Sequence, residues 1–330
     1  MNLGGEKRVF DSMHARIEIF IPDQSGSGRA PKELADLAET IVRKCDLLFN
    51  PFGENSDLRR LNEAGAGRWI KVDPLTMILT REALKWHHLT GGVFEPTIGP
   101  IKRLFKFENK MLINQPTKVQ ISETKRKVGA DKLRLDIEGQ RLAFSENGMA
   151  LDLCGLAKGF AADLAAENLK ALGLKNALIN IGGEIRALGL NPGPGAPWKV
   201  RLTNPQGGAS QYLMEISDRG MASSGNYESY FEYQGKRYSH IIDARTGCPL
   251  ANRVVGVTVA HPIHATAAEA LSTTLSIMGP AEGENFLRRL AGREFKDGLE
   301  VLMFTAGPDQ ELEALLMSVT RLGEVTVTRP

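Results

Sequence analysis

The sequence predicts an α+β fold, because segments with the period of a strand and segments with the period of a helix interleave without a strict βαβ repeat. Over residues 15–22, ARIEIFIP, isoleucines alternate with Arg16 and Glu18, which is the two-residue period of a half-buried strand. From Pro31 onward, apolar residues recur every three or four positions, which is the period of an amphipathic helix. The chain contains no internal repeat and no low-complexity tract.

Two helices are predicted after the first strand. The first begins at Pro31, a residue that suits the first turn of a helix, and ends near Asn50-Pro51. The second is predicted from Pro74 to about Leu89, where the glycine pair at 91–92 stops it. Its buried positions are predicted to be Leu75, Ile78, Leu79 and Ala83.

The middle of the chain is predicted to be less regular. The segment VFEPTIGP at 93–100 is expected to form a buried loop. Residues 102–126 are polar and rich in lysine, so we expect them to be the loosest part of this region. Residues 133–144 alternate around Gly139, which indicates a hairpin.

Helices and strands continue to interleave in the second half. A helix is predicted over 156–172 with Gly173 as its stop, and a strand at 177–183 ends in two glycines. Glycines at the end of a strand let a ligand approach the backbone amides closely. The other predicted elements are a strand at 254–260, helices at 264–278 and 281–291, and a strand at 299–304.

Composition excludes several classes of function. The formal net charge is +2 and 24% of the residues are charged, so the chain lacks the strong positive field of a nucleic-acid-binding protein. No run approaches the roughly 18–20 apolar residues that span a bilayer. Cys45, Cys154 and Cys248 are too few and too scattered for a disulfide framework or a cysteine-rich zinc site, which fits a reducing compartment.

The first residues bear on localisation. The segment MNLGGEKRVFD lacks the apolar region of a signal peptide. We therefore expect the chain as written to be cytoplasmic, or periplasmic if an export segment has been removed.

The densest cluster of glycine and polar residues is LDLCGLAKGFAAD at 151–163. It places Lys158 and Asp163 around a helix start bounded by glycines, and a helix N-terminus beside glycines and a lysine can bind phosphate. The spacing matches neither G-x-x-x-x-G-K-[ST] nor G-x-G-x-x-G, which argues against the common nucleotide-binding folds. A helix with an ordinary surface lysine explains the pattern equally well.

A second polar cluster lies at 223–250. Two strands are predicted on either side of the turn at 234–236, and they deliver His240, Asp243, Arg245 and Thr246 to a loop. So many polar side chains in one connection indicate a functional loop. His240 is a candidate base, although a lone histidine is more often a structural residue.

A third candidate site lies on the helix predicted at 264–278. Glu269 and Thr273 are four residues apart, so their oxygen atoms project from one face of the helix. A carboxylate and a hydroxyl placed in this way suit Mg²⁺ or Ca²⁺, which prefer oxygen ligands. The alternative is a solvated helix charge beside an unrelated threonine, which is common on helix faces.

In order along the chain, these motifs resemble those of the FAD:protein FMN transferase (ApbE) family. They read DLCGLAKGFAAD, NIGGEI, YSHIIDARTG and EALST, and are similar to the family's D-x-G-G-x-A-K-G-x-x-x-D, N-x-G-G-[DE], Y-S-H-I-[IV]-[DN]-x-x-T-G and D-A-x-x-T patterns. Upstream, NPFGENSDLRRLN and GGVFEPTIGP resemble two further segments of the family. The resemblance spans about residues 10–305, and four motifs in the right order are hard to obtain by chance.

The resemblance implies both a fold and an activity. The implied fold is an ApbE-like, T-fold-related set of mixed sheets with packed helices, in one domain over residues 1–330. The implied activity is cleavage of FAD, transfer of FMN to a Thr or Ser hydroxyl of a partner flavoprotein and release of AMP, with Mg²⁺, or else Ca²⁺ or Mn²⁺, as the metal. Such cleavage needs neutralised phosphate oxygens, a positioned hydroxyl and a proton acceptor.

The resemblance also implies roles for individual residues. His240 would be the catalytic base, and Lys158 would contact the flavin or a phosphate. Glu269 and Thr273, with the backbone carbonyl of Ala157, would bind the metal. The implied FAD-binding residues are Phe52, Phe94, Lys158, Asp163, Gly182, Gly183, Glu184, Ser224, Gly225, His240, Asp243 and Thr246.

Three positions depart from the family pattern. Glu269 stands where the family has its metal-binding Asp, and the extra methylene is expected to change the affinity for Mg²⁺ or the choice of metal, because Mg²⁺ tolerates little error in its octahedral shell. Cys154 replaces the first glycine of a Gly-Gly pair. Phe52 replaces the usual flavin-side Tyr, so it keeps a face for stacking on the isoalloxazine but loses the phenol hydrogen bond.

Two other functions remain open on the sequence. One is a metal-dependent FAD pyrophosphatase, in which water takes the place of the acceptor hydroxyl. The other is a non-catalytic flavin-binding protein whose metal site has decayed, an alternative suggested by the departures at Cys154 and Glu269.

Overall fold

The structure is a computed structural model. It describes residues 4–24, 26–108, 111–193, 195–204, 212–225, 230–233, 236–250, 253–294, 298–307, 311–319 and 324–328. The helices in these ranges are α1 (Pro31–Phe49), α2 (Asp57–Asn62), α3 (Pro74–Leu89), α4 (Gly99–Leu104), α5 (Lys118–Lys125), α6 (Ala157–Ala171) and α7 (Ala265–Leu290), with a 3₁₀ turn over Ala130–Lys132. None of these helices is long and apolar enough to cross a membrane.

Short strands make up much of the remaining described chain. In order they are β1 (Gly5–Ser12), β2 (Ala15–Pro22), β3 (Ile70–Lys71), β4 (Lys106–Glu108), β5 (Met111–Asn114), β6 (Leu133–Asp136), β7 (Arg141–Phe144), β8 (Ala177–Ile181), β9 (Glu184–Leu188), β10 (Trp198–Arg201), β11 (Leu213–Ile216), β12 (Gly220–Gly225), β13 (Tyr230–Tyr233), β14 (Lys236–Ser239), β15 (Ile242–Asp243), β16 (Cys248–Pro249), β17 (Val254–His261), β18 (Leu299–Ala306), β19 (Leu312–Val319) and β20 (Val325–Thr328).

The largest sheet runs through both halves of the chain. Among the described strands its order is β1-β2-β8-β9-β12-β17-β18-β19-β20, and neighbouring strands are antiparallel throughout. Smaller sheets are formed by β3-β7-β6, β14-β13-β5-β4, β10-β11 and β15-β16. Mixed strand orders of this kind agree with the predicted α+β class.

The large sheet separates two hydrophobic cores. Along β2, Ile17, Ile19 and Ile21 are fully buried in the main core, together with apolar residues of α1, α6 and α7. Phe20 points to the other face, where its ring meets that of Trp198 edge-to-face at 6.1 Å. The alternation predicted for 15–22 therefore assigns the two faces of the strand correctly.

Most of the predicted elements are present. The strand at 15–22, the helices from Pro31 and Pro74, the hairpin at 133–144 and the strand at 254–260 occur within one or two residues of their predicted ends. The helix predicted at 156–172 is α6, and the strand predicted at 177–183 is β8. The helices predicted at 264–278 and 281–291 follow one another in α7, where Gly279 has a φ of 73° and breaks the helix before Pro280.

One expectation about burial was wrong, and two features of local structure were not predicted. Ile78 is 50% exposed, because the buried stripe of α3 runs through Thr76, Met77 and Leu79 and leaves Ile78 on the outer face. The region 102–126 is not loose throughout, since α5 lies within it and starts with a capping box at Thr117. Several strands were not anticipated, among them β9, whose sequence carries charged residues that are nevertheless buried.

Asp163 on α6 holds the start of α7. Its Oδ1 accepts the N–H of Ala265 at 2.9 Å, and its Oδ2 accepts the N–H and the hydroxyl of Thr266 at 2.9 and 2.6 Å. Nε of Arg186, which is 2% exposed, lies 3.4 Å from the same carboxylate. A side chain from another helix thus satisfies amides that α7 cannot satisfy by itself.

Gly159 sets how closely α6 and α7 approach each other. A Cβ at this position would lie 2.5 Å from the carbonyl oxygen of Ala265 and 2.7 Å from the nitrogen of Thr266, which are backbone atoms that cannot move independently. The N–H of Gly159 donates to Oε2 of Glu269 at 2.8 Å. The absence of a side chain at Gly159 therefore brings the start of α6 next to Glu269.

The Asp163 contacts predict a large stability effect. We expect Asp163→Ala to lower the free energy of unfolding by about 3 kcal/mol, because it removes a buried acceptor from two amides and a buried arginine. Asp131→Ala, which removes an exposed carboxylate, should change it by less than about 0.5 kcal/mol. Denaturant unfolding followed by circular dichroism measures both, and equal effects would contradict the capping role.

The helix crossing predicts a second stability effect. Gly159→Ala forces the α6 and α7 backbones apart and should lower the free energy of unfolding by about 1–3 kcal/mol. Gly65→Ala is the matched control, because a Cβ there would meet its nearest neighbour, Asn147 Oδ1, at an ordinary 3.6 Å. Thermal unfolding of the two variants tests this prediction; if the two melting temperatures are the same, the contact at Gly159 is not restrictive.

Candidate functional site

A cavity of about 230 Å³ opens where the start of α6, the turn between β8 and β9, the end of β12 and the middle of α7 meet. The loops at 93–98 and 240–244 close its remaining sides. The predicted residues that line it are Phe94, Lys158, Gly182, Glu184, Ser224, Gly225, His240, Glu269 and Thr273. Segments far apart in the sequence therefore supply one concave site.

Gly182, in the turn between β8 and β9, forms one edge of the cavity, and the neighbouring Gly183 lies outside the cavity lining. Gly182 has a φ of 64°, and a Cβ there would lie 2.6 Å from that of Ala15. Gly183 has a φ of 104°, faces open space, and donates its N–H to Oδ1 of Asn180 at 2.8 Å. Both positions require backbone conformations that favour glycine, which keeps side chains away from this edge.

Lys158 forms an ion pair inside the cavity. Its Nζ lies 2.7 Å from Oε2 of Glu184, which is 4% exposed. Burial by itself would lower the pKa of Lys158, but the carboxylates of Glu184 and Glu269 outweigh burial and raise it. The lysine is therefore a cation at neutral pH, and an anion that enters the cavity meets a positive charge.

Glu269 is the most enclosed carboxyl group of the site. It is 3% exposed and its Oε2 accepts the N–H of Gly159. Burial raises its pKa well above the ordinary value, and the nearby Glu184 raises it further, while Lys158 acts in the opposite direction. A buried carboxyl group of this kind gains strongly from a bound cation, because the cation stabilises its ionised form.

Hydroxyl groups connect β12 to α7 beside Glu269. Ser224 Oγ lies 2.8 Å from Ser272 Oγ and 3.3 Å from Thr273 Oγ1. Ser272 Oγ in turn donates to the carbonyl of Glu269 at 3.0 Å. The hydroxyl of Thr273 thus lies at the cavity wall, one helical turn from Glu269 and on the same face of α7.

The predicted metal ligands come from two helix segments that adjoin. Thr273 and Glu269 lie on α7 and line the cavity, whereas Ala157, the first residue of α6, is outside the cavity lining. A Cβ at Gly155, just before α6, would lie 3.8 Å from Thr273 Oγ1, so the start of α6 is next to Thr273. Across the described residues, no group of three or more His, Cys, Asp or Glu side chains could hold a metal. The ligands predicted from the sequence are instead a carboxylate, a hydroxyl and a backbone carbonyl.

The loop that carries His240 is fixed by hydrogen bonds on both sides of it. The N–H of Ile241 donates to Ser239 Oγ at 3.0 Å, and the N–H of Leu250 donates to the carbonyl of Ile241 at 3.0 Å. His240 itself is exposed and lines the cavity. A molecule that enters the cavity therefore meets His240 at its wall.

Two predicted FAD-binding residues of this loop build its turn and lie outside the cavity lining. Both oxygens of Asp243 accept from the guanidinium of Arg245, at 3.0 Å from Nε and from Nη2. Thr246 Oγ1 donates to the carbonyl of Asp243 at 3.2 Å and accepts the N–H of Cys248. Because their polar atoms are used within the turn, they position Ile242 and Ala244, which do line the cavity.

Two further predicted residues are placed elsewhere. Phe52 is 78% exposed and is not part of the cavity lining, so the aromatic ring at the wall is that of Phe94. Asp163 caps α7 with both carboxylate oxygens and also lies outside the lining. Asp163, the last residue of the DLCGLAKGFAAD motif, therefore orients the helix that carries Glu269.

Lys102, Asp152 and Glu95 also line the cavity, and none of them was predicted as a site residue from the sequence. Lys102 Nζ lies 2.6 Å from Asp152 Oδ2. Asp152 opens the DLCGLAKGFAAD motif, which could have marked it, whereas Lys102 belongs to a lysine-rich stretch that offers no signal by itself. Cys154 also lines the cavity, and the charge of Asp152, with desolvation, raises the pKa of its thiol to about 12.

The profile of the ApbE family matches residues 13–296 of the chain. An FAD:protein FMN transferase of Haemophilus influenzae is 34% identical over 267 residues, which cover 79% of this chain and 76% of the relative. The protein of the same name from Vibrio cholerae is 33% identical over 255 residues, covering 76% and 75%.

Solved structures of ApbE proteins have a fold similar to that of this chain. The flavin transferase ApbE from Vibrio cholerae superimposes with a TM-score of 0.81 at 27% identity, covering 95% of this chain and 97% of that one. The apo flavinyl transferase ApbE of Pseudomonas stutzeri gives a TM-score of 0.80 at 26% identity, covering 100% and 96%. These neighbours confirm the predicted ApbE-like fold. The chain belongs to the ApbE family.

Proposed function

We propose that this chain is an FAD:protein FMN transferase, which cleaves FAD, transfers FMN to a Thr or Ser hydroxyl of an acceptor flavoprotein and releases AMP. The observation that carries the proposal is the convergence of Lys158, His240, Glu269 and Thr273 on one cavity bordered by glycine backbone. The relatives in Haemophilus influenzae and Vibrio cholerae that bear this name match about three quarters of the chain or more.

The residues of the site fit a hard divalent cation such as Mg²⁺. The carboxylate of Glu269 and the hydroxyl of Thr273, with the carbonyl of Ala157, would form an oxygen-only donor set. Glu269 is buried, and the direction of its pKa shift indicates a carboxyl group that lacks sufficient positive charge nearby. When bound, such a cation would neutralise charge on the phosphate oxygens.

The remaining residues would position FAD and manage the proton. Lys158, which is charged and lies beside Glu184, would bind a phosphate oxygen. The glycines at 182–183 would let the nucleotide approach the backbone closely, and Phe94 would pack against an aromatic ring of the substrate. His240, exposed at the cavity, would accept the proton of the acceptor hydroxyl.

The bonds that form and break follow from this placement. The acceptor oxygen attacks the phosphorus on the FMN side of the pyrophosphate, and a new P–O bond forms as the bond from that phosphorus to the bridging oxygen breaks. The bridging oxygen leaves with the electron pair on AMP. The hydroxyl proton passes to His240, so FMN becomes an ester of the acceptor Thr or Ser.

A transfer assay tests the function. With FAD, Mg²⁺ and a flavoprotein domain that bears an acceptor Thr, we expect AMP and covalently bound FMN in equal amounts. His240→Ala and Lys158→Gln should lower the rate by about 100-fold or more, because each removes a group that acts on the reacting phosphate or hydroxyl. Lys170→Gln, on the exposed side of the same helix as Lys158, should react like the wild type.

The outcomes of this assay separate the alternatives. AMP without labelled acceptor, with several acceptor domains tried, would support the FAD pyrophosphatase. Bound FAD with no AMP at all, and no response to Mg²⁺, would contradict the transferase and leave a flavin-binding protein.

Glu269 predicts how metal binding depends on pH. Burial raises the pKa of this carboxyl group, and the group must lose its proton to bind a cation, so the affinity for Mg²⁺ should increase as the pH rises from mildly acidic to mildly alkaline. Glu269→Gln should lose both the binding and its pH dependence, whereas Glu284→Gln on the same helix should keep both. Isothermal titration with Mg²⁺ measures this, and a pH-independent affinity in the wild type would contradict the assignment.

A further inference from the structure

Lys102 is a second lysine in the cavity that the proposed function does not use. It lies on α4, and its side chain is 38% exposed and lines the cavity together with Lys158. Its Nζ forms an ion pair with Asp152 Oδ2 at 2.6 Å. Burial alone would lower the pKa of Lys102, but Asp152 raises it, so the ammonium group is charged.

The backbone around this ion pair is fixed on both sides. A Cβ at Gly99 would lie 2.7 Å from that of Ala150, so the start of α4 is in close contact with the segment before Asp152. The N–H of Asp152 donates to the carbonyl of Pro96 at 2.7 Å. Asn62 holds Leu151 through two hydrogen bonds of 2.7 and 2.9 Å. The backbone beside the ion pair is therefore held, while the Lys102 side chain is a flexible four-carbon stem.

The charges that line the cavity favour movement of the Lys102 side chain toward a bound anion. Glu184 is paired with Lys158, and Glu95 lies 3.2 Å from His87 and also accepts the hydroxyl of Thr97. An anion that approaches Asp152 would be repelled unless a cation lies between them. An ammonium group has three donors, and one carboxylate oxygen takes one of them.

Asp152 keeps a hydrogen bond if the lysine turns toward a ligand. Its Oδ1 accepts the N–H of Cys154 at 3.0 Å, independently of the ion pair through Oδ2. The thiol of Cys154, with a pKa of about 12, is neutral and does not compete for the lysine. The ion pair can therefore open while the carboxylate of Asp152 still accepts one hydrogen bond.

We propose that Lys102 binds a phosphate oxygen of the flavin nucleotide, as a second cation beside Lys158, and that Asp152 holds Lys102 in place when no nucleotide is bound. The identity of the ligand rests on the proposed function. The chemistry recognised is the phosphate group that FMN and FAD share and riboflavin lacks.

The test compares binding of riboflavin, FMN and FAD by flavin fluorescence, with Mg²⁺ present. Lys102→Gln should weaken FMN and FAD binding by about tenfold and leave riboflavin binding unchanged, because a charge-assisted hydrogen bond to phosphate is lost. Lys102→Arg should restore most of the affinity for FMN. Arg103→Gln removes a positive charge from the exposed side of α4 and should leave all three affinities unchanged.

A variant of Asp152 separates recognition from a merely structural ion pair. Asp152→Asn keeps an acceptor for the N–H of Cys154 but no longer competes for Lys102, so FMN should bind more tightly. A structural pair predicts that Asp152→Asn and Lys102→Gln both weaken binding. That result, or FMN binding by Lys102→Gln within about twofold of Arg103→Gln, would overturn the inference.

The proposed function and this inference fail in different ways. If the wild type transfers FMN but Lys102→Gln binds FMN normally, only the inference is overturned. If FMN binding depends on Lys102 but no AMP is released from FAD, the transferase is wrong and the phosphate contact stands. A wild-type chain that binds none of the three flavins overturns both.

Discussion

Helices α6 and α7 cross at Gly159 with no side chain between their backbones, and the site is assembled around this contact. The crossing allows the amide of Gly159 to reach Glu269, and it places Asp163 against the first amides of α7. Each helix thus satisfies polar groups of the other, and both are packed on the same face of the large sheet. The close packing of α6 against α7 at Gly159 therefore determines how Lys158 and Glu269 lie relative to each other.

The electrostatics of the cavity explain how a site rich in carboxylates could accept an anionic substrate. Lys158 and Lys102 are each held by one carboxylate, and Glu95 is satisfied by His87 and Thr97. Glu269 is the carboxyl group left without an equivalent partner, because its described hydrogen bond comes from a backbone amide. Burial raises the pKa of Glu269 because removing a carboxylate from water is costly, and a bound cation would offset the same cost.

The structure shows where the three residues that depart from the family motifs lie relative to the cavity. Cys154 lies at the cavity wall beside Asp152, where its neutral thiol adds volume without adding charge. Phe52 is exposed, and Phe94 supplies the aromatic face of the cavity. Glu269 reaches the backbone of α6 with its Oε2. None of the three substitutions disrupts the convergence of Lys158, Thr273 and His240 on one cavity.

The sequence by itself determined the elements with strong periodicity and the family. Alternating isoleucines specify β2, and the proline starts of α1 and α3 are visible because capping and periodicity are local properties. The motifs also identified nine residues that line the cavity, since a motif records which residue types occur together in order. Short strands such as β9, whose buried charges break the alternation, carry no such local signal.

Only the tertiary structure decided which polar side chains face the cavity and which support it. Asp163, Asp243 and Thr246 belong to the same motifs as Lys158 and His240, yet their oxygens are used by a helix start and a turn. Lys102 has no motif and enters the site because Gly99 lets α4 approach residue 150. The direction of a side chain and its partners depend on contacts between distant segments, and a linear pattern does not contain that information.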